Sequence, residues 1–160
     1  YNVVIFMRIW HKDLVSVLPD KLLLQLKDDW FNIATDLVSA EVTTSLGDPT
    51  IDRILEYSIG HFYSYYFIYI MPELHRRGLL DEQTMNFFHS LASCYSENDL
   101  RILHPVFDCW HTTRYLLQCM MYLEELYDCG GITFEEWYRI LNKTRSMHAY
   151  CEETYQSLFV

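Results

Sequence analysis

His111 and Arg114 stand three residues apart, a spacing that on a helix puts both on one face, close enough to grip a single anion. His61 heads an aromatic stretch, and Tyr65 lies four residues on from it. Two basic clusters stand out: Arg139, Lys143, Arg145 and His148, and the run His75-Arg76-Arg77. Arg139 and Lys143 share a helical face, and either cluster suits a phosphate. Each also has a structural reading, because cations near a helix C-terminus complement its dipole. No glycine-rich phosphate loop, H-E-x-x-H or G-x-S-x-G occurs, so three common hydrolytic chemistries lack a carrier. No spacing brings three or four metal ligands together, and no metal or cofactor is expected. The five cysteines are odd in number and form no C-x-x-C pair, so free thiols are the default.

These groups must be carried by helices. Apolar residues at Leu23, Leu26, Trp30, Ile33, Leu37 and Ala40 recur at steps of three and four, beginning after Pro19 and stopping near Gly47. Asp48-Pro49 reads as an N-cap and first-turn proline for a second helix. Tyr57-Ser58 is a break, and the segment from Ile59 runs to the Arg76-Arg77-Gly78 stop. Pro72 inside it predicts a kink or two shorter helices. Asp81 caps a helix through Ser93. The pattern from Trp110 to Tyr127 is helical and closes at Gly130-Gly131. Thr133 with Glu136 forms a capping box for a last helix. The expected fold is all-α, a compact single-domain bundle of five or more helices, with residues 1–6 an extension and 7–160 the domain.

Acidic residues outnumber basic ones 22 to 12, a net charge of -10 that argues against general nucleic-acid binding. A local basic groove is still compatible with that total. Tyrosine and phenylalanine account for most of the 16% aromatic content, which suits a flat-ligand pocket or an ordinary helical core. The longest uncharged stretch, residues 57–72, is too short and too polar to cross a membrane. The opening YNVVIF lacks the basic region and cleavage site of a signal peptide. A soluble, cytoplasmic protein with no membrane partner is expected.

The segment MRIWHKDLVSVLPDKLLLQLKDDW (7–30) resembles the opening of the pyrimidine-dimer DNA glycosylases. It is most similar to an uncharacterised bacterial branch that begins Met-Arg-x-Trp-His, here Met7, Arg8, Ile9, Trp10 and His11. Residues 52–78 and 110–137 also resemble that branch. The resemblance implies a small all-α enzyme that cuts a glycosidic bond in damaged DNA and then nicks the strand. An N-terminal amine attacks the sugar C1′ to form a Schiff base, and a helix carboxylate stabilises the developing cation. The family's Gln-x-Arg-Glu is met here by Gln25-Leu26-Lys27-Asp28 with one residue deleted, or by Asp28-Asp29 in ungapped register. The implied carriers are the Met7 amine and Asp28 or Asp29, with Arg8, Lys27, Arg114 and Arg139 on phosphates. A second reading keeps the scaffold without catalysis: a binding module for a nucleotide-like molecule or a protein, its pocket lined by Trp10, His11, His61, Tyr65 and His111. The expected partners are accordingly damaged DNA or a nucleotide, with a protein partner left open by the second reading.

Overall fold

A computed structural model describes residues 8–39 and 49–157, with side chains described through residue 145 apart from Ser39. Its elements are a 3₁₀ helix (Lys12–Val17), α1 (Asp20–Ser39), α2 (Pro49–Glu56), α3 (Ile59–Tyr65), a π turn (Tyr66–Ile70), α4 (Met71–Arg76), α5 (Glu82–Ala92), α6 (Thr113–Asp128) and α7 (Phe134–Ser157). The fold is all-α, and no strand occurs among the described residues. None of these helices is long and apolar enough to cross a membrane. The described residues group into two compact units: Ile9 and its predecessor with Leu23–Phe107, and Trp10–Leu22 with the chain from Asp108 onward.

The first unit is built on aromatic rings. Trp30 of α1 is fully buried, lies parallel to Phe62 at 4.9 Å, and donates its indole N–H to the Phe62 carbonyl at 2.9 Å. Tyr65 sits 4.8 Å from the same indole, and Phe107 meets it edge-on. Further along, Tyr66 stacks on Phe88 at 3.8 Å, and Phe31 packs against Phe87 and Phe88. The aromatic segment is therefore core, where a planar side chain buries much area with few rotors.

Pro72 leaves the helical path running. It stands just after the π turn, where Met71 donates to the Tyr66 carbonyl, a five-residue step. The wider register absorbs the hydrogen bond that proline cannot make and relieves its ring's clash with the preceding turn. The expected division appears as a change of register, with α3 and α4 on either side of the π turn. Gly78, at φ +70°, closes α4: its N–H reaches the His75 carbonyl and the Leu79 N–H reaches that of Leu74.

In the second unit the 3₁₀ helix and α6 both pack on α7. Leu14, Leu18, Leu116, Cys119, Leu123 and Ile140 are fully buried there. The capping box forms as expected, with Thr133 and Glu136 exchanging backbone-to-side-chain bonds of 2.9 and 3.2 Å. Helix α6 begins later than the Trp110 start expected from periodicity. Thr112 is its N-cap, accepting from the Tyr115 N–H at 3.1 Å, because a hydroxyl there satisfies a donor that Trp110 could not.

Candidate functional site

The candidate residues fall into three groups of side chains, and each lies within one unit. On α1, in the first unit, Gln25 donates to Asp29 at 2.9 Å, one turn apart, and the Lys27 ammonium lies 3.4 Å from Asp28. Asp28 is 62% exposed while Lys27 is largely covered, so this carboxylate faces solvent with a cation at its side. Across from α1, Asp81 is the N-cap of α5, and the Thr84 N–H and hydroxyl hold its carboxyl below the usual range, with Lys27 contributing. The result is a mixed polar group in which Asp28 is exposed and Asp29 is oriented by an amide. Arg8 belongs to the same unit and is half-buried.

His61 and Tyr65 form the second group, on α3. The His61 Nδ1 accepts the Phe107 N–H at 2.9 Å, and its ring lies 5.7 Å from the Phe107 ring and 5.1 Å from Tyr57. Phe107 has a left-handed backbone, φ +50°, which a bulky residue adopts only at a cost of roughly 1–3 kcal/mol. The histidine anchor and the surrounding rings hold it there. Tyr65 is fully buried among Trp30, Tyr69 and Phe107. Both residues thus serve the core of their unit, and Tyr65 offers no surface to a ligand.

The third group lies in the second unit. His11 is buried and caps the 3₁₀ helix, its Nδ1 accepting the Asp13 N–H at 3.2 Å. The His111 Nδ1 accepts the neighbouring Lys12 N–H at 3.3 Å, and the two imidazoles meet edge to face at 5.3 Å. An accepting Nδ1 places the proton on Nε2 in both rings. Burial lowers the His11 pKa, with Asp13 opposing, and depresses His111 to about 3, with His11 and Lys12 adding to the effect. The pair is neutral at physiological pH. Trp10 is buried beside it in sequence, its ring 5.7 Å from Tyr122.

His111 precedes the α6 N-cap, so the expected helical face shared by His111 and Arg114 does not form. Arg114, in the first turn of α6, is exposed, and His111 turns to the 3₁₀ helix. Arg139 is exposed on α7, as are Lys143 and Arg145. Met7, proposed as the amine, lies outside the described residues, as does the side chain of His148. His11 and His111 meet in the second unit, which also holds Trp10, while His61, Tyr65, Arg8, Lys27, Asp28 and Asp29 belong to the first.

Two features went unread in the sequence. Glu73 is a buried carboxylate held by Arg76 and Arg77, one helical turn on, and the spacing Glu-x-x-Arg-Arg is its signature. Tyr63 and Tyr66 bury hydroxyls that make no hydrogen bond. Burial raises the Tyr63 pKa and pushes Tyr66 up to about 12, so both stay neutral. No pattern of residue types announces a hydroxyl without a partner. Among the described residues no group of three or more metal-ligating side chains gathers. In comparisons with known proteins, no family, no curated protein and no solved structure matches this chain.

Proposed function

We propose that this protein acts on damaged or modified nucleotides in DNA, as a glycosylase with lyase activity, using an amine at residue 7 and a carboxylate of α1. The observation that carries the reading is the polar strip on α1: Gln25 bonded to Asp29, and Lys27 beside an exposed Asp28. That strip lies where the Met-Arg-x-Trp-His resemblance puts the family's Gln-x-Arg-Glu. The amine attacks C1′ as the base departs with the bonding electrons of the glycosidic bond. Loss of a proton from the nitrogen and ring opening leave an imine, and removal of a C2′ proton then expels the 3′ phosphate. A carboxylate serves twice, opposing the positive charge on the sugar and moving protons. Asp28 is accessible for this, with the Lys27 ammonium 3.4 Å away.

Asp28→Asn with Asp29→Asn keeps side-chain size and removes both charges. Nicking of ultraviolet-irradiated supercoiled plasmid by a chain starting at Met7 is expected to fall ~10²–10⁴-fold in the double variant. DNA affinity is expected to hold or rise, since two charges that repel phosphate are gone. Undiminished nicking by the double variant rules out these carboxylates. Absence of both nicking and DNA binding in the parent chain favours the alternative, a non-catalytic binding module on the same helices.

A further inference from the structure

We infer that Arg76 is a phosphate-contact residue whose partner is the phosphodiester backbone of DNA, an inference that rests on the nucleic-acid reading above. Glu73 is buried, and three donors converge on it. The Arg77 Nε reaches Oε1 at 2.7 Å, the Arg76 Nε reaches Oε2 at 3.1 Å, and the Arg76 Nη2 also contacts Oε1. Arg77 is nearly as buried as the acid and already neutralises it, whereas Arg76 is 65% exposed. The second guanidinium therefore leaves a net positive charge at the surface.

The geometry of that guanidinium decides what the charge can do. Its Nε–H and one Nη2–H point inward to Glu73. Its remaining donors, the two on Nη1 and the second on Nη2, form the outer edge, a planar fork matching two phosphate oxygens. A free surface arginine loses rotamer entropy when it grips a phosphate, but Arg76 is already held by Glu73. The carbonyl end of α4, which would repel an anion, is covered by the N–H groups of Gly78 and Leu79. Five residues on, the Asp81 carboxyl is engaged by the Thr84 N–H and hydroxyl.

Three variants of the full chain separate this role from a structural one. Arg76→Gln removes charge and fork, and Arg76→Lys keeps the charge but not the fork. Both leave Glu73 paired with Arg77. Duplex affinity is read by fluorescence anisotropy across a salt series, beside plasmid nicking and thermal unfolding. Arg76→Gln is expected to weaken binding ~5–10-fold and to lower the salt slope by about 0.9, one phosphate contact. Arg76→Lys is expected to keep the slope and the unfolding temperature while losing several-fold in affinity. Arg53→Gln, on α2, removes a different exposed cation for comparison and is expected to change affinity less. The inference is overturned if both Arg76 variants bind and nick like the parent, a result that leaves the nucleic-acid reading standing. It is equally overturned if Arg76→Lys matches the parent in affinity, or if Arg76→Gln is no weaker than Arg53→Gln, because charge alone then suffices. If the parent neither binds nor nicks DNA, the nucleic-acid reading fails first and the DNA partner fails with it.

Discussion

His11 and His111 couple the stability of the second unit to pH. Each uses Nδ1 as an acceptor for a backbone N–H, and protonation turns that atom into a donor facing a donor. The His111 pKa is about 3 in the fold against 6.5 as a free side chain, and that of His11 is also lowered. The unfolded chain therefore binds more protons across this interval. The stabilisation is complete above pH 6.5 and is lost as pH falls from there towards 3. Each histidine held neutral contributes a slope of up to ~1.4 kcal/mol per pH unit. Urea unfolding between pH 7 and 5, above most carboxylate titration, is expected to show decreasing stability on acidification. His111→Asn keeps an acceptor near Nδ1 and cannot charge, so its profile is expected to be flatter. An equally steep profile would place the titrating group elsewhere. The sequence offered these histidines as a pocket lining and gave no sign of their bonds to the backbone, because the Lys12 and Asp13 N–H groups they accept are backbone features. His61 was hidden in the same way: its partner is the N–H of a left-handed Phe107, 46 residues away.

The elements were legible wherever capping chemistry is local. Asp81, Thr133 with Glu136, and Gly130 each act within one turn of their own position, and the helices end where those residues dictate. The π turn was not legible, since Pro72 predicts strain without specifying how the chain relieves it. The approach of residues 99–103 to α3 was equally silent. Gly60 lets that backbone come close: a Cβ there would stand 2.9 Å from the Asp99 carbonyl and 3.2 Å from that of Arg101. One turn later the Ser64 hydroxyl accepts the Leu103 N–H at 3.1 Å. Gly60→Ala gains up to ~1 kcal/mol of helix propensity. It is nevertheless expected to destabilise by about 1–3 kcal/mol, because the obstacle is backbone rather than a movable side-chain tip. Denaturant unfolding checks this, and a neutral or stabilising result would mean that the 99–103 segment does not lie against α3.

At the scale of the molecule, a net charge of -10 and an enzyme of DNA are compatible only if cations are placed rather than abundant. Arg76 on its buried carboxylate is such a placement, and Arg114, Arg139 and Lys143 are exposed in the other unit. The all-α class followed from periodicity and caps. The proposed site rests on the Met-Arg-x-Trp-His resemblance alone, since the carboxylates of α1 look, by residue type, like any solvated helix face. The covalent step tests the central claim most directly. A chain beginning at Met7 is incubated with ultraviolet-irradiated duplex DNA and borohydride, which reduces an imine to a stable amine. The predicted result is a protein–DNA adduct mapped to the residue 7 amine by mass spectrometry and lost when residues 1–6 precede it, since the nucleophile is then displaced from its site. No adduct from the chain beginning at Met7, or one mapped to a lysine side chain, would contradict it.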